Sequence, residues 1–380
     1  MSVVETVCAP RKKHVEVAVV VWDIFIRLFH WLLVVMVATT AVTGFLGQEW
    51  WLNIHLWAGY GVGLLITLRV IWGFFGPTYA CFSSFIFHPD KTYNYLRQLL
   101  RGKPDHYTGH NPAGALMVFA LLLVLAGLTI SGIIVLGGQE KQGLLAGVIS
   151  YKLGHEVAEF HEIVAFLLLF MIAAHIGGVL LESHLCQQNL VRSMINGRKN
   201  VRFVKADAGK VASIGKALLA ISIIAALAGT LAWSLMRLPV SGYRIIKQNS
   251  VYANECGECH LAYHPSLLPE SSWNKILTGL SDHFGEDASL DSEMVNILDQ
   301  YLKLNAARHW DTEASNNLRR VSVKDPLRIT ASPYWILRHR DIDKQVFKRT
   351  KIASKGNCIA CHIDADSGRF DDQMINVPDE

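Results

Sequence analysis

The 380-residue sequence has no glycine-rich nucleotide loop, no flavin motif, no catalytic triad pattern and none of the cysteine spacings that hold iron–sulfur clusters. Those absences remove nucleotide- and flavin-dependent dehydrogenases, hydrolases and ferredoxin-like carriers. There is no low-complexity tract, and no internal repeat beyond two copies of Cys-x-x-Cys-His. Charge is also scarce: Asp, Glu, Lys and Arg make up 18% of the residues, against about 25% in an ordinary soluble chain. The shortage is confined to the part before about residue 238. After Pro239 the four charged types are interspersed as in a soluble domain, so the boundary falls near Leu238 to Gly242.

Before that boundary, five stretches are long enough to cross a bilayer core of about 30 Å, which takes roughly 20 apolar residues. They run approximately over 17–46, 52–75, 113–136, 157–181 and 214–236. Arg11, Lys12 and Lys13 precede the first stretch, which is too long for a signal peptide and lacks a small-residue cleavage site, so it reads as an uncleaved span. Basic residues then set the orientation. They crowd the N-terminal tail, the loop after span two (Lys91, Arg97, Arg101, Lys103) and the loop after span four (Arg192, Arg198, Lys199, Arg202, Lys205, Lys210). The opposite loops hold only Lys141 and Lys152. The expected location is a bacterial inner membrane, with the N-terminus cytoplasmic and the C-terminal domain periplasmic.

Of seven cysteines, Cys8, Cys81 and Cys186 fall on the cytoplasmic side, where thiols are expected to stay reduced. The other four lie in Cys256-Gly-Glu-Cys259-His260 and Cys358-Ile-Ala-Cys361-His362. A disulfide framework would leave His260 and His362 unexplained. Zinc would want further ligands at suitable spacing, and a thioredoxin-like dithiol a βαβ context. The pattern is that of covalent haem attachment: two thiols form thioethers with the vinyl groups, and the next imidazole reaches the iron. Each iron then needs a sixth ligand, for which His264, His283, His309, His339, Met294 and Met374 are the candidates. His264 is too near His260 to reach the opposite haem face, while His283 and His339 stand in settings that could present an imidazole.

Ionisable groups inside the apolar spans are costly and mark function. His161 and His175 are fourteen residues apart in span four, which puts them within about 40° of one helix face and about 21 Å apart along the axis. Two ligands on one face near opposite leaflets suit two haems stacked across the bilayer. Depth pairs His30 of span one with His175 and His55 of span two with His161. Such imidazole pairs give six-coordinate irons suited to electron transfer, housed between facing helices. His155 and His184 read as interfacial polar residues. Arg27 is expected to pair with a haem propionate or to snorkel to the inner surface.

Two resemblances bear on these readings. Arg27-Leu28-Phe29-His30-Trp31, His55, Gly109-His110-Asn111-Pro112-Ala113-Gly114, His161-Glu162, His175-Ile176-Gly177-Gly178 and 189–199 resemble the bacterial cytochrome b561 family and its relatives, the cytochrome b subunits of nickel–iron hydrogenases. The likeness covers about 15–205 and implies the same four ligands. His110 belongs to a family motif but is expected to cap span three near the cytoplasmic surface and not to ligate. The fifth span departs from the family's four helices, contains no His, and reads as the link to the outer domain. The segment 254–264, Leu267-Leu268-Pro269, Ser272-Trp273, Asp282-His283-Phe284-Gly285 and 356–362 resemble the bacterial dihaem cytochrome c family. In that family each haem is expected to have two His ligands, which singles out His283 and His339. Sequence proximity assigns His283 to the first haem and His339 to the second.

The expected fold is all-α: a transmembrane cytochrome b domain over 1–210 with a four-helix di-haem core, a fifth linking helix over 211–240, and a mostly helical periplasmic di-haem cytochrome c domain over 241–380. Two haem b, two haem c and an exchangeable quinone or quinol are the expected cofactors. The expected activity is quinol oxidation, with electrons passed to a periplasmic redox protein. The alternative is a cytochrome subunit anchoring a larger periplasmic oxidoreductase, in an oligomer or complex. Superoxide oxidation at the outer b haem is a third idea, against which the attached c domain argues. From Tyr243 onward there are 20 acidic and 17 basic residues, too small a balance to steer a partner. Nucleic-acid binding has no support, because the basic loops are those that the orientation rule demands.

Overall fold

The computed structural model describes residues 17–48, 51–201, 211–246 and 249–379. Cys8, Arg11, Lys12, Lys13, Arg202, Lys205 and Lys210 lie outside the described residues. The chain divides into two compact units, Met1–Leu46 with Ile54–Gly132 and Glu159–Leu231, and Gly47–Asn53 with Ile133–Ala158 and Ala232–Glu380.

In the first unit the long apolar stretches are helices: α1 Ile24–Phe45, α2 Leu52–Phe75, α4 Pro112–Gly138, α5 Tyr151–Leu185 and α7 Ile214–Leu235. All five are long and apolar enough to cross a membrane. Shorter helices α3 Pro89–Leu100 and α6 Leu190–Asn196 lie in the polar connections. The first span starts later than its hydropathy indicates. Val17–Val20 forms strand β1, antiparallel to β2, Arg198–Val201. The β-branched run favours a strand, and Asp23 then caps α1 by accepting from the Ile26 N–H at 3.0 Å. Gly197, left-handed at φ 79°, ends α6 and turns the chain into β2.

The unit's core takes Val37 from α1, Val62 and Ile66 from α2, Leu125 from α4 and Leu168 from α5. Four helices therefore share one interior. Helix α7 stands apart from that core, with Ala217 its one buried residue. Leu123, Phe170 and Leu227 are exposed apolar side chains, as expected of helices whose outer faces meet lipid. Helix α5 begins six residues earlier than hydropathy places it, and its 35 residues span about 52 Å, well beyond the bilayer core.

In the second unit, short helices surround one core: α8 Ser250–Glu255, α9 Glu270–Thr278, α10 Ser292–Asn305, α11 Glu313–Leu318 and α12 Pro333–Arg338. Tyr252, Leu267, Trp273, Leu298 and Leu302 fill it. Burying each leucine contributes about 2 kcal/mol. The residues between α4 and α5 belong to this unit too. At the crossing of the end of α4 with the start of α5, a Cβ on Gly138 would lie 2.7 Å from the Gly154 Cα, so the close approach needs glycine. Lys141, 3% exposed, donates from Nζ to Asp311 Oδ2 at 2.8 Å and to the Ile149 carbonyl at 3.1 Å. The same Asp311 oxygen accepts from the Tyr151 N–H. Removing one partner of a buried ion pair strands the other. Lys141→Ala is therefore expected to destabilise the second unit by about 3 kcal/mol, read as a lower denaturation midpoint of the full-length protein in detergent, while Lys152→Ala at the exposed neighbouring lysine leaves the midpoint unchanged.

Candidate functional site

An iron held by two imidazoles lies about 2.0 Å from each nitrogen, and that nitrogen about 1.1 Å from its ring centre, so the ring centres of a ligand pair fall roughly 6.2 Å apart. Three histidine pairs meet this spacing. His55 on α2 and His161 on α5 have ring centres 6.4 Å apart. His260 and His283 stand at 6.2 Å, and His339 and His362 at 6.1 Å. The fourth expected pair is carried by α1, at His30, and by α5, at His175. Among the described residues no three His, Cys, Asp or Glu side chains converge on a metal position. The imidazoles come in twos.

Each ring also needs an orienting partner, because the nitrogen left free is set by the bond the other makes. His161 Nδ1 is 2.8 Å from Ser131 Oγ on α4. His55 Nδ1 is 3.1 Å from both the Thr40 carbonyl and Thr43 Oγ1 on α1. Thus two neighbouring helices, α1 and α4, engage the Nδ1 atoms of a pair carried by α2 and α5, which leaves the Nε2 atoms as those that could ligate a metal. His339, capping α12, has Nδ1 2.9 Å from the Trp335 carbonyl and its ring stacked on Trp335 at 4.3 Å. His260 Nδ1 lies 2.8 Å from the Leu261 carbonyl. Burial, with Arg338 and His339 nearby, holds the His362 imidazole down to about 4. Burial likewise keeps His339 and His283 below their usual value. These are neutral imidazoles, the form that coordinates metal.

Cys256, Cys259, Cys358 and Cys361 are all free thiols, so no disulfide framework forms. Burial pushes Cys256 and Cys358 up to about 11, opposite to the shift that makes a redox-exchange thiol reactive. Cys256 is the C-cap of α8, and Cys358 opens a 3₁₀ turn running to Ala360. In the second motif both thiols stand on that turn, with Cys361 its C-cap and the His362 N–H donating to the Cys358 carbonyl at 2.8 Å. The residues fit haem: two thiols for the vinyl groups, a proximal imidazole, and a second imidazole at the bis-ligand spacing.

Of the other sixth-ligand candidates, the two histidines have other partners. His264 Nδ1 accepts from the Ser266 N–H, His309 is 3.0 Å from Arg308 Nε, Met294 lies in the first turn of α10, and Met374 is exposed. Arg27 does not simply reach for the surface: its Nη1 donates to the Ile195 carbonyl at the end of α6 at 2.7 Å. His155 stacks on Tyr151 at 5.7 Å in the first turns of α5, and His184 lies exposed at that helix's far end. His110 lies two residues before α4 and is half-buried. It packs against Trp22 and Phe85 at 4.7 and 4.2 Å, and burial beside Lys199 and Arg69 lowers it to about 3. Cys186 is disulfide-bonded, so the expectation of reduced thiols fails there.

Sequence reading missed the buried polar set around His110. Arg69 is 3% exposed, Lys199 Nζ donates to the Gly109 carbonyl, and Asn111 bonds Glu182. Arg69 and Glu182 within apolar helices were the available signal.

These features define a membrane haem protein. The chain matches the model of the prokaryotic cytochrome b561 family over residues 21–197 and that of dihaem cytochrome c over 252–370. It is therefore a cytochrome of two parts, a prokaryotic cytochrome b561 membrane domain and a dihaem cytochrome c domain. It is similar to proteins described as probable Ni/Fe-hydrogenase B-type cytochrome subunits. The one from Rhizobium leguminosarum bv. viciae is 25% identical over 52% of this chain and 97% of the relative. The one from Azotobacter vinelandii is 24% identical over 51% and 93%. Among solved structures, it is similar to a diheme cytochrome c from Shewanella baltica OS155, at 34% identity over 35% of this chain and 95% of that one, with a TM-score of 0.29. A second is the diheme cytochrome c of Rhodobacter sphaeroides, at 33% identity over 33% and 99%, with a TM-score of 0.26. The chain is a membrane electron-transfer protein with b-type and c-type haem domains.

The Ser131 hydroxyl orients His161 from a neighbouring helix, and loss of such a partner weakens metal-site occupancy about 10-fold. Ser131→Ala is expected to lose part of the non-covalent haem on gel filtration, read as the b-type absorbance per polypeptide, whereas Thr129→Ala two residues away keeps it.

Proposed function

We propose that this protein is a quinone-linked electron conduit of the bacterial inner membrane, oxidising quinol in its membrane domain and delivering electrons to a periplasmic redox protein. The observation that carries it is the common spacing of the histidine pairs, 6.1 to 6.4 Å, in both the helical membrane domain and the Cys-x-x-Cys-His domain. Two haem b would be held by His30 with His175 and by His55 with His161. Two haem c would be tethered at Cys256 and Cys259 and at Cys358 and Cys361, with His260, His283, His339 and His362 as axial ligands. Haem iron supplies one-electron redox change, and two imidazoles leave it no open position for substrate. Everything else is positioning. Thr40, Thr43 and Ser131 fix the imidazoles, and the apolar helices keep water away. Quinol oxidation yields two electrons and two protons; haems held by these pairs would supply one-electron acceptors, and the protons would pass to water at the membrane surface. The basic tail and loops support a cytoplasmic N-terminus, with the c-type domain outside. The proposed domains are 1–210, a linking helix over 211–240, and 241–380.

A second reading rests on the relatives, which are described as hydrogenase cytochrome subunits: the chain anchors a larger oxidoreductase to the membrane. A stoichiometric companion with its own active site in gently purified material would favour it.

A pyridine haemochrome spectrum of the purified chain is expected to give two b and two c haems per polypeptide, with mass spectrometry showing two covalent haem additions. His161→Ala with His175→Ala is expected to remove the b absorbance and abolish reduction of the c haems by duroquinol. Retention of b absorbance in that double variant would refute the assignment.

A further inference from the structure

The residues that join α4 to α5 bind one side of the C-terminal unit. Helix α5 carries His161, and its first turns carry Tyr151 and His155, ten and six residues earlier, about 15 and 9 Å along the axis. The Tyr151 hydroxyl accepts at 2.9 Å from Nδ2 of Asn317 on α11, the helix that also carries Glu313. Glu313 is 3.7 Å from Arg338, the residue before His339. Helix α4 carries Ser131, the partner of His161, and leads into Gln142. Gln142 bonds Asp371 and accepts from Gln373 at 2.7 Å, while Arg369 donates to the Lys141 carbonyl. The next residues return to the second motif: Ile363 N–H donates to the Met374 carbonyl, and Asn376 N–H to the Cys361 carbonyl. Both helices that hold the His161 imidazole thus run directly into contacts flanking His339 and His362. None of these contacts goes to residues 250–290, which hold the first motif and His283.

The first motif is joined to the second by Tyr263. Its ring lies 5.2 Å from the His260 ring, and its hydroxyl donates at 3.0 Å to the Gly356 carbonyl, two residues before Cys358. A Cβ on Gly368 would come 2.3 Å from His264 Nδ1, so the two segments also touch behind that tyrosine.

We infer that the path from the His55/His161 pair enters the His339/His362 site first and reaches the His260/His283 site only through it, by way of Tyr263. The second motif in sequence is the entry site and the first is the terminal one, from which a soluble partner is served. This rests on the haem assignments proposed above.

The test uses the full-length haem-loaded protein in lipid nanodiscs, with His283→Met and His339→Met as separate labels, since a Met ligand in place of His changes the spectrum and raises the potential of one haem at a time. Electrons are delivered by duroquinol and, in parallel, by an apolar photoreductant dissolved in the lipid. Absorbance then reports the order of reduction. The expected result is that the haem labelled at 339 is reduced ahead of the haem labelled at 283. Tyr263→Phe should slow only the second of these steps. Cys358→Ala with Cys361→Ala should lose the fast phase at the His283 site. Reduction of the His283-site haem first, or at its ordinary rate without the His339 site, overturns the inference. If only the photoreductant works, the quinol reading falls and the order is still decided.

Discussion

The structure depends on pairs of imidazoles brought to one spacing, of which His55, His161, His260 and His339 are each engaged through Nδ1 by a neighbour. A histidine ring presents one nitrogen to a metal reliably only if the other is engaged. In the membrane unit that engagement crosses helices: Thr40 and Thr43 on α1 hold His55 of α2, and Ser131 on α4 holds His161 of α5. The four helices with a common apolar core are therefore also the four that build the site. The bundle and the pair require each other, since neither α2 nor α5 alone could fix the separation of the rings.

A second constraint is that polar groups within apolar helices must be satisfied by the protein. Asp23 shows this economy of use: one carboxylate oxygen caps α1 and the other accepts from the Trp72 indole on α2. Arg27 ties α1 to the end of α6, and Lys199 reaches the Gly109 carbonyl. One end of the bundle is thereby sewn together by hydrogen bonds, with His110 packed between Trp22 and Phe85. In the second unit the Lys141–Asp311 pair has the same role, joining the α4–α5 connection to the short helices around the haem motifs.

Much of this was legible in the sequence, for definite reasons. The Cys-x-x-Cys-His copies carry their chemistry in their order. Helical periodicity put His161 and His175 on one face, and hydropathy found five spans. Pairing of His55 with His161 followed from depth alone, and the structure brings those rings together. What could not be read is what depends on three-dimensional neighbours. Thr40, Thr43 and Ser131 look like any hydroxyl residues in a helix, where they commonly bond their own backbone. The strand at Val17–Val20 passed for helix because an apolar run has no period of its own. That Ile133–Ala158 belongs with the C-terminal unit is a matter of tertiary contacts such as Gln142 with Gln373, which leave no mark in local composition.

The most direct test of paired imidazoles is low-temperature electron paramagnetic resonance of the air-oxidised, full-length protein. The account predicts that every iron is low-spin, with g-values of two nitrogen ligands and no high-spin component. A high-spin, five-coordinate signal of stoichiometric intensity, or a Met-ligated signature at either c-type centre, would contradict it.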